Sequence, residues 1–353
     1  MQVFILNQNL EVISLIDDFV SLIWCRKYIE CGDVELCVLA SQKYIDILKL
    51  DYYIIRNDDE TAYIIESVDI SQTDEGDQII VKGRCLKSIL ARRIVWQQTN
   101  LSGNVENAIR LLVSNALTSA AEGPASRGIS NFILGKLQGL SGTIEMQITG
   151  DNLLDSVSEI CTTFDLGYKV TFDNDGNFVF DLCQGKDRTI SQSANKQILI
   201  SESTNSLLNS SYSLNNTGYR NAALVAGEGE GLDRKTIEVT KDIKEISTTG
   251  LQRKELYVDA RDVSSNDGQI NADDYNALLA EQGIEGLSEA TTTESLSADI
   301  DMSGFYQYKT DYDMGDKITI LNEYGIQTDV RIVGITESWD ENGQYSIETE
   351  LEG

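Results

Sequence analysis

Short apolar runs, separated by small polar clusters, occupy residues 1–96 of the chain. Such runs, bounded by Asn, Asp and Gly, are typical of β-strands joined by tight turns. The pattern predicts strands at 3–6, 12–16, 21–29, 34–39, 52–56, 61–71 and 78–83, with short helices at 42–48 and 86–93. Many short strands with regular turns predict a small barrel or sandwich that ends near Trp96.

The apolar spacing changes in residues 97–195, where it follows the period of a helix. Helices are predicted at 104–118 and 152–164, each with one apolar face. The segment Asp-Asn-Asp-Gly at 173–176 lies between two strand-like runs and predicts a hairpin. Residues 97–195 are therefore predicted to form an α+β insert.

Strand patterns return in residues 196–353. They predict strands at 197–201, 207–214, 223–226, 236–240, 255–259, 293–300, 317–322, 328–339 and 345–351. A helical excursion is predicted near 273–290, with two glycines, Gly283 and Gly286, that could interrupt it. The fold class is thus mainly β with an α+β insert, in three regions: 1–96, 97–195 and 196–353.

Composition narrows the range of functions. The 353 residues include 57 acidic and 28 basic side chains, giving a net charge of −29. This charge disfavours binding that depends on neutralising nucleic-acid phosphates or anionic lipids. Histidine is absent, which excludes catalysis by histidine and metal sites with histidine ligands. We see neither a signal peptide nor an apolar run of the ~20 residues that a membrane span needs.

The six cysteines, at positions 25, 31, 37, 85, 161 and 183, form no C-x-x-C pair. Their spacing does not indicate a zinc site. Most of them lie in apolar strand or helix contexts, so we predict buried free thiols in a reducing compartment.

A glycine-rich loop at 227–231, with the sequence Gly-Glu-Gly-Glu-Gly, has two interpretations. Glycines let backbone amides approach a phosphate, but the dinucleotide fingerprint needs a different spacing and a following helix. Glu228 and Glu230 would also repel an anion. We therefore interpret the loop as a hairpin connection, in which glycine supplies positive φ angles.

A second candidate is a weak calcium-loop match at 265–274. Asp267, Asn271 and Asp274 could supply oxygen ligands, but Val263 stands at the first position, where an oxygen ligand is required. The alternative is a polar turn that caps the following helix, with Asn271 as the cap. We predict no catalytic, cofactor-binding or metal site, and no cofactor.

Three other groups of residues have weak functional interpretations. Neighbouring acidic residues are uninformative among 57, so no enzymatic activity is predicted; they are Asp259 with Asp262, Asp299 with Asp301, and Asp311 with Asp313 and Asp316. Tyr306, Tyr308 and Tyr312 could stack on a sugar, which leaves a glycan-binding or carbohydrate-active module as the alternative function. The one dense basic cluster could bind an anionic partner or be a solvated helix face; it comprises Lys82, Arg84, Lys87, Arg92 and Arg93.

Several stretches, taken in order, resemble the phage tail hub family, which includes siphophage tail-tip, baseplate hub and tail-associated proteins. They are WCRKY at 24–28 with GDVEL at 32–36, GRCLKSILARRI at 83–94, NAALVAGEGEG at 221–231 with Arg234, RKELYVDARD at 253–262 and YDMGDKITI at 312–320. Cys25, at a position that is usually polar, and the loop at 119–131 depart from the family pattern.

The resemblance implies a structural protein of the virion. Such hubs are homotrimers in which each chain supplies two tube-type β-barrels, here 1–96 and 196–353, so that three chains form a ring of six. The middle region would lie outside as an attachment point. The implied partners are the tail tube, distal tail proteins, the tape measure protein and receptor-binding or fibre proteins.

The resemblance further implies a place at the tail tip, after assembly in the host cytoplasm. DNA would be only a transiting cargo during ejection, and no membrane insertion is expected. Wall-degrading or receptor-binding activities are expected to belong to other proteins. The acidic composition fits this role independently, because an acidic conduit would not adsorb DNA.

Overall fold

The computed structural model describes residues 1–72, 76–241, 248–265, 269–300 and 305–352. The first region contains strands β1 to β7, at Val3–Leu6, Val12–Ile16, Ser21–Lys27, Asp33–Leu39, Tyr53–Arg56, Ala62–Ser71 and Gln78–Cys85, and helices α1 and α2, at Gln42–Ile47 and Ser88–Ala91. Each of these elements overlaps a predicted one. The apolar and polar alternation therefore located them correctly, although α2 is shorter than predicted.

The seven strands lie side by side in the order β3-β4-β7-β6-β5-β1-β2, and every neighbouring pair is antiparallel. One face of these strands packs on a core that contains the fully buried Trp24, Leu36 and Ile54. Trp24 and Tyr63 meet edge to face in this core, with their ring centroids 4.5 Å apart. The opposite face is polar and exposed along β4 and β7, whereas at β6 its Ala62 and Ile64 pack on the core of the middle region.

The middle region combines helices with short strands. It contains β8 to β12, at Thr99–Asn104, Phe132–Leu134, Thr143–Ile148, Gly167–Phe172 and Phe178–Cys183, and helices α3 and α4, at Val105–Leu117 and Leu153–Thr163. β8 pairs with β10, and β11, β12 and β9 form a second small sheet. The apolar faces of both helices enter one core, as their spacing predicted. The pattern gave no indication of β8, β9 or β10.

The last region contributes β13 to β21, at Leu199–Ser201, Leu207–Asn215, Ala222–Ala226, Thr236–Thr240, Glu255–Asp259, Thr293–Ile300, Lys317–Leu321, Gln327–Trp339 and Tyr345–Glu352, and helix α5, at Ala272–Glu289. Strands β13, β19, β20 and β21 join the strands of the first region in one eleven-stranded sheet, because β20 pairs with β3. β14 and β18 form a separate two-stranded sheet. We call the eleven-stranded assembly the long sheet.

The chain divides into two compact units. One comprises Met1–Ser210 with Ser297–Gly353 and contains the long sheet, and the other comprises Ser211–Leu296. The mainly β fold class is confirmed. The boundaries predicted at 96 and 196, and the closure of the terminal regions into two tube-type barrels, stay predictions.

The smaller unit is a three-stranded sheet covered on one side by a helix. β15 lies in the centre, antiparallel to β16 and parallel to β17. Leu279 and Leu287 of α5 pack on Val225 of the sheet. The helix runs without a break through Gly283 and Gly286. A side chain at Gly283 would collide with the sheet, which explains why glycine occurs in the interior of a helix.

Replacing Gly283 by alanine is expected to destabilise this unit by about 1–3 kcal/mol, because the new Cβ would lie 2.7 Å from Cγ2 of both Val225 and Val239. At Gly286, an alanine Cβ would meet only side-chain ends at 3.1 and 3.2 Å. Its better helix propensity, worth up to about 1 kcal/mol, offsets that contact. Denaturant unfolding of both variants measures the difference; equal losses would contradict close packing at Gly283.

No helix in the described part of the chain is long and apolar enough to cross a membrane. All six cysteines are free thiols, and Cys25, Cys37, Cys85 and Cys161 are buried. This agrees with the prediction of free, mostly buried thiols.

Candidate functional site

The junction between β3 and β20 connects the two ends of the chain. Gly334 faces Lys27, and the pairing continues antiparallel to Trp339 opposite Leu22. On its other edge, β20 pairs with β21 over the same residues. The strands predicted for the first and second barrels are therefore hydrogen-bonded to each other within one sheet. We call this β3–β20 pairing the seam.

A buried network of charges lies at the seam. Arg26 on β3 contacts Glu337 on β20 at 2.8 Å and Asp59 at 2.7 Å. Arg56, at the end of β5, reaches the same Glu337 oxygen at 3.1 Å and Asp58 at 2.9 Å. All but Asp58 are largely removed from solvent. Because one carboxylate serves two arginines, the network connects three strands that lie far apart in the sequence.

The electrostatics of Asp59 follow from this arrangement. Burial alone would raise the pKa of Asp59, but the charge of Arg26 and the hydrogen bonds from Thr61 outweigh it, so the pKa lies below its ordinary value. The carboxylate therefore stays ionised and keeps its ion pair at neutral pH. Within the described residues, Nε of Arg26 is buried and has no hydrogen-bond partner.

Aromatic rings enclose the network. The guanidinium of Arg56 lies 5.0 Å from the ring of Trp24 and 4.7 Å from that of Trp339. Tyr345 donates a hydrogen bond to Oε1 of Glu337 at 3.0 Å. Burial, and then the charge of Glu337, raise the pKa of Tyr345 to about 12, so its hydroxyl remains a donor. The rings restrict the access of water, which strengthens the ion pairs.

The solvent-facing side of the long sheet is rich in acidic residues. Seven carboxylates and three basic residues lie on it across β3, β4, β6, β7 and β21: Asp33, Glu35, Glu66, Asp69, Glu348, Glu350 and Glu352, with Lys27, Lys82 and Arg84. Each basic residue pairs with one of these acids. Asp33, Asp69 and Glu348 form no ion pair with any described residue. Seven negative and three positive charges leave this outer face with a net charge of −4.

Two further charged side chains fix loops in the larger unit; the sequence analysis placed Lys87 in the basic cluster without this role and did not identify Glu106. The buried ammonium of Lys87 lies within hydrogen-bonding distance of the carbonyls of residues 27, 28, 29 and 30, at 2.9 to 3.2 Å. The buried carboxylate of Glu106 accepts bonds from the amides of residues 138, 139 and 140, at 2.6 to 2.9 Å. The partners of Lys87 are backbone carbonyls and those of Glu106 are backbone amides. Every residue type except proline carries both groups, so the sequence gives no signal of these contacts.

The glycine-rich loop joins two antiparallel strands, β15 and β16, which confirms the hairpin interpretation. Gly229 has a φ of +101°. The carboxylate of Glu228 accepts bonds from the amide and hydroxyl of Ser265, at 2.7 and 2.6 Å. The loop therefore presents a carboxylate that is bonded within the unit rather than a cradle for phosphate.

The structure describes only part of the weak calcium-loop match. Asn271 is the N-cap of α5: its side chain accepts a bond from the amide of Asp274 at 2.9 Å and donates to that residue's carboxylate at 2.6 Å. Asp267 lies outside the described residues. No cluster of three or more potential metal ligands occurs in the part of the chain that is described. The capping role predicted for Asn271 is confirmed, and the expectation of no metal site stays a prediction.

The tyrosine series does not form an open stacking surface. Tyr312 is buried, and Tyr308 is half-buried with the guanidinium of Arg26 at 5.6 Å from its ring. Among the acidic pairs, Asp316 accepts a bond from Arg188 at 2.6 Å, and Asp259 pairs with Arg234 and Arg261. These residues stabilise loops and strands; Asp301, from another predicted pair, lies outside the described residues.

Comparisons with solved structures agree on the fold. A tail protein from Neisseria meningitidis MC58 aligns over 100% of this chain and 96% of its own, with 14% identity and a TM-score of 0.56. The 43 kDa tail protein of prophage MuSo2 from Shewanella oneidensis aligns over 99% and 98%, with 11% identity and a TM-score of 0.56. Prophage tail protein gp18 from Listeria monocytogenes EGD-e aligns over 99% and 94%, with 11% identity and a TM-score of 0.51.

No protein of curated function matches the chain. The sequence profile of one family, described as Siphovirus ReqiPepy6 Gp37-like protein, matches residues 2–351. This match covers nearly the whole chain, and it agrees with the fold shared with phage tail proteins. The chain therefore belongs to the Siphovirus ReqiPepy6 Gp37-like family, and it shares its fold with phage tail proteins.

Proposed function

We propose that the chain is the hub of a phage tail tip. Three copies form a ring that joins the tail tube to the distal tip or baseplate, and DNA passes through its centre during ejection. Each copy supplies two tube-type barrels, 1–96 and 196–353, so the ring has pseudo-sixfold symmetry. The region 97–195 lies on the outside as an attachment point. The role is structural, without catalysis.

The observation that carries this proposal is the outer face of the long sheet. It extends across both ends of the chain through the seam, and it holds acids in excess. In a ring of three copies, a net charge of −4 per copy gives −12 around the channel. Like charge prevents the phosphate backbone from adsorbing to the wall.

The seam supports the same proposal mechanically. A tail tip transmits force between the tube and the distal proteins, so the two barrels of one chain must keep their spacing. A continuous sheet with a buried charge network at the junction provides such a rigid connection, because breaking it would leave charged groups buried without partners.

The proposal implies several protein partners. The ring would contact the tail tube on one side, and distal tail, receptor-binding or fibre proteins on the other, with the tape measure protein ending in its channel. It would assemble in the host cytoplasm and remain at the tail tip of the virion.

Two measurements test the proposal together: the mass of the protein in solution and electron-microscope images of the particle. We expect a particle of three times the 39.1 kDa chain mass, with threefold symmetry and six similar lobes around a central hole. Mixing with the tail tube protein should favour this particle if the isolated chain assembles weakly. A chain that remains monomeric at high concentration and in the presence of its tube protein would contradict the ring.

A further inference from the structure

A recess in the larger unit combines arginines with exposed apolar side chains. Arg92, Arg93, Ile94, Trp96, Pro124 and Arg127 line it, and its volume is ≈ 380 Å³. None of its described lining residues is acidic, although the chain as a whole carries a charge of −29. We call it the arginine–tryptophan recess. Such a concentration of positive charge is exceptional in so acidic a protein.

The recess is held in shape by its own contacts. The guanidinium of Arg127 lies 4.6 Å from the ring of Trp96 and donates to the carbonyls of Glu122 and Ile94, at 2.6 and 3.0 Å. Arg93 donates to the carbonyl of Arg127 at 2.9 and 3.2 Å. These bonds fix the loop against Trp96 before any ligand arrives, which lowers the entropy lost on binding.

Glycine is required where this loop touches Trp96. Gly123 has a φ of +84°, and a Cβ at this position would lie 2.7 Å from the indole nitrogen of Trp96. A larger residue would push the loop away from the ring. The close approach therefore depends on one glycine in the loop at 119–131, the segment that departs from the family pattern.

The structure separates the basic cluster predicted from the sequence into two groups. Lys82 pairs with Glu35 at 2.8 Å, Arg84 pairs with Glu66 at 2.7 Å, and Lys87 is buried with its carbonyl acceptors. These three charges are used within the fold. Arg92 and Arg93 belong instead to the recess, where Arg127 joins them.

The charges of the recess are poorly compensated. Arg92 contacts Asp51 at 2.9 Å, but both side chains are about half exposed, so this pair contributes little. Arg93 and Arg127 form no ion pair with the described residues. The pKa of Arg93 lies below its usual value, because it is partly buried and because Arg127 and Arg92 repel its charge. An anion in the recess would relieve this repulsion.

The apolar part of the recess matches the composition of protein interfaces. Trp96 is 48% exposed and Ile94 is 43% exposed. Tryptophan and arginine are the residues most often found at binding hot spots. An exposed ring beside guanidinium groups accommodates an apolar side chain flanked by carboxylates.

We propose that the arginine–tryptophan recess binds a carboxylate-bearing segment of another protein. Its carboxylates contact Arg93 and Arg127, and an adjacent apolar side chain packs on Trp96 and Ile94. Three arginines can neutralise only about three phosphates, and the acidic remainder of the chain repels nucleic acid at longer range, so a short protein segment fits better than DNA. This goes beyond the hub role and does not depend on the number of copies in the ring.

A synthetic eight-residue peptide of glutamate and leucine tests the proposal on the full chain. Calorimetry measures the affinity, and acrylamide quenching reports on Trp96 and the partly exposed Trp339, of which only Trp96 lies in the recess, since Trp24 is completely buried. We expect saturable binding that weakens with salt and protects tryptophan from quenching. The same peptide with glutamine in place of glutamate should bind roughly tenfold more weakly or worse, because charge-assisted bonds are lost.

Variants identify the residues. Arg93→Gln is expected to weaken binding of the glutamate peptide roughly tenfold. Arg92→Gln, at a half-exposed side chain outside the loop contacts, should weaken it by a smaller factor while the melting temperature stays unchanged. Arg84→Gln removes the same charge from a site already paired with Glu66 and should leave the affinity unchanged.

Several results would overturn the proposal. They are equal binding of the glutamine peptide, an equal loss in Arg84→Gln, no binding at millimolar peptide, or tighter binding of a single-stranded octanucleotide that is lost in Arg92→Gln. The last result would assign the recess to nucleic acid. None of these outcomes bears on whether three copies form a ring, so failure here is distinct from failure of the hub.

Discussion

Replacing Glu337 by alanine is expected to lower the free energy of unfolding by about 3–5 kcal/mol. The change removes the carboxylate shared by Arg26 and Arg56, which both remain buried at the seam. Arg26 then keeps only Asp59, and Arg56 keeps only the half-exposed Asp58. Buried charges that lose a partner are strongly unfavourable, and water could reach them only if the aromatic enclosure opened. Denaturant unfolding at neutral pH measures the loss.

The matched control is Glu350→Ala on the neighbouring strand. Glu350 also pairs with a basic residue, Lys27, but its side chain is 55% exposed. The expected loss is at most about 1 kcal/mol, as for other surface ion pairs. If Glu337→Ala cost no more than this control, the buried network would not be what stabilises the seam.

Replacing Asp33, Asp69 and Glu348 together by lysine is expected to convert the outer face into a DNA-binding surface. Each change adds two charges, so the net charge of the face changes from −4 to +2 per copy. In the proposed ring this gives a net charge of +6 around the channel. DNA should then be retained at low salt, and the affinity should fall by about 10³-fold or more between about 50 and 200 mM salt.

Phage particles that carry the variant give the functional measurement. The fraction of genome ejected at low salt should fall sharply and recover as salt is added. Lysine at Glu281, Glu285 and Glu289, three exposed positions on α5, makes the same change in charge on the smaller unit. If both triple variants ejected DNA equally well, or were equally impaired, the outer face would not be the wall of the channel.

The sequence predicted individual elements far better than their pairing. Alternation located β1 to β7, and helical spacing located α3 and α4, because each pattern is contained within a few adjacent residues. β8 was missed because its sequence, Thr-Asn-Leu-Ser-Gly-Asn, has only one large apolar residue. β9, with three residues, is too short to show a period.

Gly283 and Gly286 illustrate a different limit. Glycine weakens an isolated helix, so a break was a reasonable expectation. The helix continues because close packing on β15 and β16 requires the absence of a side chain at Gly283. Tertiary contact overrides local propensity here, and nothing in the local sequence identifies the contact.

The candidate site was the least predictable part. Arg26 and Glu337 are separated by 311 positions, and neither has a neighbour that signals the other. The basic cluster was visible in the sequence, but only the structure distinguishes Lys82 and Arg84, which are paired, from Arg93, which meets Arg127 from a distant loop. Charge patterns show which residues are available, whereas the fold determines which of them remain uncompensated.

The pairing of Lys27 with Gly334 has a consequence for biosynthesis. At a translation rate of about 5–20 residues per second, β3 waits roughly 15–60 s on the ribosome before β20 emerges to cover its edge. During that interval the nascent chain exposes an unpaired strand, which is a template for aggregation. A chaperone that shields strand edges during synthesis should therefore raise the yield of soluble protein.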